Sequence, residues 1–464
     1  MRIKTMEEKK ICRPVIMVID IGGSKYMPGF VDGEGTILYQ ERREWNGVTP
    51  EELVAQMIGA LKDICQKNPD LAAMAECGGL TIPGFADPVT GDWVESDFLP
   101  VKNLPICKYL TKEFGIPFFA DNDCNACALA ERYFGGAKGL DDFLYMTVST
   151  GIGGALYTNG VLHYGEFWHA GEIGMFVAEE DGRISDTGSM YGILEMHASG
   201  RGLAANYQEY GGEPLIDGKV PGGPEISKLA LAGDPVALKT LDAEGRYLGR
   251  AIANACAMAD FKKIILGGGI SLLFGQYEKP LMDEFHRIWP GRGLAVEATQ
   301  LGYSGAFLGA AAVALRGLEG FSADALAEDS VLRVQVGWQV RGALEIKGKP
   351  MQKQDGDFGG FLVFKGLEDP GQRLNQLAQK EDWGVLCLRS ADEDEESCTK
   401  LASWGYALGK AVAATCILLD PGKVVLSGCV TENPCFKKGF LQAMTKETYY
   451  RGDFPFAIEY QTHP

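Results

Sequence analysis

The chain predicts an α/β architecture of at least two lobes, and three observations carry that expectation. Apolar runs alternate with helix-forming stretches through the first third. Two glycine-rich turns, Asp20-Ile21-Gly22-Gly23-Ser24-Lys25 and Ser149-Thr150-Gly151-Ile152-Gly153-Gly154, each follow such a run. The C-terminal third repeats part of what precedes it. At 464 residues there is length for two or three domains with sizeable cores.

Taken in order, Val15-Ile16-Met17-Val18-Ile19 reads as a buried strand, and a polar-flanked strand follows over 29–39. A helix is expected from Thr49 to Lys67: Thr49 caps it, Pro50 suits the first helical position, and Glu51 and Glu52 face the positive end of the dipole. The apolar stretch 77–82 is a strand; then come a helix at 108–114, a strand at 117–120 and a helix at 123–133. The segment 143–162 is strand-rich and carries the second glycine turn. After an irregular region, helices are expected around 193–210 and 235–258. Lys263-Ile264-Ile265-Leu266 is a strand leading into the turn Gly267-Gly268-Gly269, and 302–316, rich in Ala, Gly and Leu, reads as a closely packed helix.

The rest repeats the middle. Leu241–Ser271 aligns without gaps onto Leu401–Thr431 with about one position in three identical, including Cys256 with Cys416, Asp260 with Asp420 and Gly268 with Gly428. Further back, Gly154-Ala155-Leu156 returns as Gly342-Ala343-Leu344, and Gly171-Glu172-Ile173-Gly174 as Gly356-Asp357-Phe358-Gly359. In the second copy the glycine turn has become Gly337-Trp338-Gln339-Val340-Arg341, whose side chains block close backbone approach, so no phosphate is expected there.

The formal charge of −18 and the lack of dense Lys/Arg stretches argue against nucleic acid and for a small-molecule partner. Residues 1–14 lack the apolar core of a signal peptide, and no segment nears the ~20 apolar residues needed to cross a bilayer, so a cytoplasmic protein without membrane partners is expected. Twelve scattered cysteines read as reduced, mostly buried thiols. The single C-x-x-C, Cys124 with Cys127, has no second pair at metal spacing, and His163, His169 and His197 match no zinc signature.

Glycines after a strand let backbone N–H groups approach an anion and cradle phosphate oxygens; the alternative for either turn alone is an ordinary hairpin. Asp20, directly after a strand, can hold a divalent metal such as Mg²⁺ beside phosphates. The turn Gly267-Gly268-Gly269 suits a nucleotide base or ribose lying against backbone. Asp121-Asn122-Asp123 sits where a strand passes into a helix, which fixes a carboxylate at the mouth of a sheet. With an ordinary pKa of about 3.9, Asp123 is ionised at neutral pH and able to take a hydroxyl proton; the alternative makes it a helix N-cap.

These segments, together with Ile82-Pro83-Gly84, Ala170-Gly171-Glu172-Ile173-Gly174, Leu194-Glu195 and Leu266-Gly267-Gly268-Gly269, occur in one order over residues 15–316 and resemble the ROK family of sugar kinases and sugar-responsive repressors, within the actin-like (ribonuclease H-like) and hexokinase-like ATPases. The resemblance implies two α/β lobes closing on a cleft, plus here a degenerate extra lobe. ATP with Mg²⁺ would be held by Asp20, Gly22, Gly23, Ser24 and Lys25, by Ser149, Thr150, Gly151 and Gly153, and by Gly267, Gly268 and Gly269. Asp123 would activate a sugar hydroxyl, with Gly84, Asn122, Glu172 and Glu195 holding the sugar; solvated surface charge is the alternative for the two glutamates. Family members usually carry a zinc-binding histidine and cysteine cluster. Here Met175, Asp186, Gly188 and Ile193 occupy those positions, so no zinc is expected and a usual sugar contact is lost. Only residues 1–19 precede Asp20, too few for the helix-turn-helix of the repressors.

The expected organisation is a small lobe over 1–118 with a return helix at 302–318, a large lobe over 119–301, and a non-catalytic repeat of it over 325–464 that packs where a second subunit would and leaves a monomer. The expected function is an ATP-dependent, glucokinase-like carbohydrate kinase. The alternative, favoured by Met175 and the degenerate repeat, is a catalytically silent sugar-binding or regulatory protein.

Overall fold

The apolar run after residue 14 becomes the centre of a sheet. In the computed structural model, which describes residues 14–96, 99–215, 217–321, 329–351 and 357–461, strands Ile37–Gln40, Lys25–Asp32, Val15–Ile21, Ala75–Ile82 and Phe118–Asn122 lie side by side in that order. Val15–Ile21 pairs antiparallel with Lys25–Asp32 and parallel with Ala75–Ile82. Because both of its faces are covered, it reads as a continuous apolar run instead of an alternation. Helix Pro50–Lys67 covers one face through Leu53, Met57, Leu61 and Ile64 and starts with the capping box Thr49/Glu52. Helix Gly305–Leu318 covers the other, so close that a Cβ on Gly79 would overlap Ala310 O and one on Gly309 would press on Ala126. Residues 1–13, most of the start read above as lacking a signal-peptide core, and Gly356 lie outside the described residues.

The chain divides into two units, one running through Leu140 and resuming at Thr299, the other holding Asp141–Ala298 and the remainder. The first boundary therefore falls at 140 and not at 118. Phe118–Asn122 completes the first sheet beside Ala75–Ile82, and helix Asp123–Phe134 packs on Gly305–Leu318.

The second unit contains two sheets of the same design. One runs Val161–His163, Ile152–Thr158, Phe143–Val148, Lys263–Gly267, Ala295–Ala298; the other runs Lys349–Pro350, Val340–Ile346, Ser330–Val336, Lys423–Ser427, Ala457–Gln461. In both, the third strand pairs antiparallel with the second and parallel with the fourth, and the hairpins close at Val148↔Ile152 and Val336↔Val340. Helices Pro235–Ala259 and Glu395–Leu419 each end on a left-handed aspartate, Asp260 at φ 43° and Asp420 at φ 46°. Short helices Leu194–Ala198 and Leu374–Ala378 correspond in the same way: Glu195 accepts the Ile152 N–H, and Asn375 accepts the Val340 N–H.

One apolar core runs through both halves of this unit, from Leu144 to Phe456. Polar contacts cross between them. Asn254 bonds Leu362 through both backbone groups, the buried Arg250 donates to Gly366 O and Leu367 O, and the Glu180 N–H meets Lys365 O at 3.3 Å.

Two sequence expectations need correction. Helix Glu395–Leu419 is long and apolar enough to cross a membrane by length and composition; most of that stretch is buried in the second unit, where it is a core helix. Cys398 and Cys435 pair as a disulfide, because Glu395–Leu419 and Pro434–Lys446 pack side by side and bring their Cα atoms to 5.3 Å. Nine other described cysteines are free thiols.

Candidate active site

In the first unit the polar residues gather at the ends of the parallel strands. Asp20 closes one strand and accepts a hydrogen bond from the Thr81 hydroxyl at 2.7 Å, while Thr81 Oγ1 accepts the Ile21 N–H. Burial raises the Asp20 pKa, and Thr81 and Lys25 restrain the rise. Asp123 opens helix Asp123–Phe134. Burial, with the Asp20 charge adding to it against a hydrogen bond from the Cys124 backbone, pushes its carboxyl up to about 6. That is nearer the optimum for a general base at neutral pH than an ordinary aspartate. With Asp123 as the general base of a proton transfer, the rate constant would be expected to fall about tenfold per unit as pH drops below roughly 6, since a base works ionised. A kcat/KM profile flat to pH 5 would count against this.

The N-cap alternative for Asp123 does not hold. Asn122 Oδ1 accepts the Cys124 and Asn125 N–H groups and caps the helix, leaving Asp123 for other work. Asn122 Nδ2 donates to Gly84 O at 2.8 Å, so this side chain gives both amide atoms to the fold and keeps one N–H for a ligand. Gly84 has φ 115°, and a Cβ there would overlap Glu95 O. The buried Asp121 receives Arg316 at 2.9 Å and Asn125 at 3.0 Å, an ion pair that anchors the whole Asp121–Asp123 turn.

Both glycine turns are hairpins, so that alternative and the phosphate reading coexist. In the first, the Gly22 N–H meets Lys25 O at 2.8 Å and the Trp45 indole donates to Gly22 O, leaving Gly23, Ser24 and Lys25 exposed. In the second unit, Ser149 and Thr150 are exposed at the tip of the Phe143–Thr158 hairpin, where the Ser149 N–H meets Gly151 O. Glu195 Oε2 accepts the Ile152 N–H at 2.9 Å, and a Cβ on Gly151 would collide with that carboxylate. Gly268, at φ 81°, lies against Val148 O, and Ser271 Oγ ties down Gly268 O.

Sequence reasoning missed Arg201. Its guanidinium reaches Thr150 O at 3.1 Å, Glu195 at 2.9 Å and Asp186, setting a cation beside the exposed tip. The only sequence signal is its place in the first turn of helix Gly200–Glu209, whose Gly200 N–H bonds Ser149 O.

Glu172 is half-buried and opens the short turn Ile173–Met175. The segment before it is held from the C-terminal half. His163 Nε2 meets Leu419 O, the Glu166 N–H meets Asp420 O, and the Gly171 N–H meets Leu418 O. Asp420 Oδ2 accepts the Phe167 and His169 N–H groups at 2.7 and 3.0 Å. The histidines are structural: burial lowers the pKa of His163 and His169 and takes that of His197 down to about 4, so each is neutral. Where the family pattern has cysteines, the loop is closed by hydroxyls, Ser185 Oγ accepting the Ser189 and Met190 N–H groups. Met175 is half-buried against the apolar core.

A model of the ROK family matches residues 16–316. A glucokinase of Streptomyces coelicolor is 30% identical over 311 residues, 64% of this chain and 96% of that protein. A beta-glucoside kinase of Listeria monocytogenes is 30% identical over 257 residues, 55% of this chain and 83% of that protein. The crystal structure of a ROK family glucokinase from Streptomyces griseus in complex with glucose and AMPPNP superposes with a TM-score of 0.55 at 29% identity, covering 65% of this chain and all of that one.

Proposed function

Because the chain belongs to the ROK family, we propose that it is a sugar kinase that moves the γ-phosphoryl group of ATP to a hydroxyl of a hexose or close relative. The observation that carries this reading is Asp123: uncapped, half-buried, coupled to Asp20 and raised to about 6. The sugar oxygen attacks the γ-phosphorus, its bond to phosphorus forms as the bridging P–O bond breaks, the hydroxyl proton passes to Asp123, and ADP leaves. Asp20, with one oxygen held by Thr81, suits a hydrated Mg²⁺, which neutralises phosphate charge when bound. The exposed tips at Gly23–Lys25 and Ser149–Thr150, with the Gly267–Gly269 turn, hold phosphate and nucleotide. Glu172 and Glu195 accept from sugar hydroxyls, Glu195 already aligned by Ile152 and Arg201, and Asn122 and Gly84 shape the wall beside Asp123.

Met175, in place of the usual histidine, favours a second reading, a protein that binds sugar without turning it over. A coupled ADP-release assay over a hexose panel, run beside thermal-shift binding, separates the two. Sugar-dependent ADP release establishes the kinase, whereas stabilisation by sugar and nucleotide without release establishes the silent binder.

The half after residue 329 would replace a second subunit and, through Asp420, position Glu172. Removing both acceptor bonds in Asp420→Ala is expected to raise the sugar KM about tenfold, the scale of a charge-assisted hydrogen bond, with the ATP KM unchanged. Equal changes in both constants would show a general loss of fold instead.

A further inference from the structure

The second half of the C-terminal unit holds a cavity of ≈ 220 Å³ at the place where the first half has its glycine turns. Val336–Trp338 lines it in the position of Val148–Thr150, and Cys429 and Val430 in the position of Gly269 and Ile270. The chemistry has been rebuilt. Where the cation of Arg201 stands beside the first turn, the carboxylates of Glu381 and Asp382 line the cavity beside the second. Among the described residues helix Gly200–Glu209 has no counterpart, since only Gln379–Asp382 separates Leu374–Ala378 from Trp383–Ala391.

The walls are flat and aromatic. Trp383 and Trp404 stack at 5.4 Å between centroids and 21° between planes, and Trp338 stands at the rim, 74% exposed. The Trp383 indole N–H is satisfied by Ala378 O at 2.7 Å, but that of Trp404, only 2% exposed, has no hydrogen-bond partner among the described residues. Glu381, 3.4 Å from Lys400, and Asp382, which caps the next helix, supply acceptors; among the described residues no Lys or Arg lines the cavity. Phosphate is disfavoured by these carboxylates and by Trp338. A flat ring that stacks on the aromatic walls and offers an exocyclic amino group to a carboxylate fits this lining.

We propose that this cavity binds an unphosphorylated nucleobase or nucleoside, making it a second ligand site independent of the phosphoryl-transfer machinery. The test is calorimetric titration of the full chain with each of the four ribonucleosides, ATP being present in excess and sugar absent. Expected is saturable binding of at least one with a Kd at or below about 1 mM. Trp338→Ala, a surface substitution, weakens it roughly tenfold through lost stacking. Cys429→Trp fills the cavity and abolishes it, while any sugar-dependent ADP release stays as in the parent and thermal melting confirms the fold. Absence of saturable binding by all four nucleosides, binding that survives both substitutions, or complete displacement by ATP would overturn the proposal.

Discussion

Asp123→Asn is expected to cut kcat by about 10²- to 10⁴-fold, the usual worth of a positioned general base, while the protein becomes more stable near neutral pH. The two effects share one cause. The folded state raises the Asp123 pKa from 3.8 to about 6, so it binds that proton more tightly than the unfolded chain does. Such a carboxyl is neutral and harmless below the unfolded value. Stability is lost as pH rises from 3.8 through about 6, and above that the ionised, half-buried group, with Asp20 beside it, remains a standing cost. Asparagine removes the charge at nearly the same volume, so the thermal midpoint should rise at pH 7 and match the parent below pH 4. Initial rates on an accepted sugar and two melting curves check both halves. A variant slower and also less stable at pH 7 would mean that Asp123 holds the fold and not the proton.

Ending the chain at residue 321 is expected to yield no folded monomer. The apolar core of the second unit draws on both halves, from Leu144 and Phe261 on one side to Leu408 and Phe436 on the other, and the Glu166 and Gly171 N–H groups lose Asp420 O and Leu418 O while the His163 ring loses Leu419 O. Uncovering that face exposes far more apolar surface than monomers tolerate. Light scattering on the fragment should show aggregate, or a dimer in which a second copy covers the face. A well-behaved monomer with full turnover would remove any structural need for the second half.

Much of this was legible because it is local. A strand followed by glycines announces itself within six residues, and the helix at Thr49 carries its cap, proline and acidic first turn in consecutive positions. The second half was legible through the spacing it shares with the first, from Leu401 to Thr431. What escaped depends on distance along the chain. Thr81 finds Asp20 across 61 positions, Arg201 finds Thr150 across 51, and Asp420 finds His169 across 251. No periodicity encodes such pairs. Asn122 and Asp123 show a subtler limit: either can cap a helix, and only the backbone path decides that the amide does so and the carboxylate is released.

The Glu180 N–H to Lys365 O bond joins equivalent segments of the two halves, as Phe176 answers to Phe361 and Gly174 to Gly359. That is the meeting of like with like found at the axis of a two-fold pair. A pair of separate chains must obey mass action and comes apart on dilution, and each substitution enters it twice. Here one peptide chain carries both partners, so their association does not depend on how much protein a cell makes. A change on one side need not suit its own mirror image. Asn254 can bond Leu362 while its counterpart, Ala414, has no hydrogen-bonding side chain.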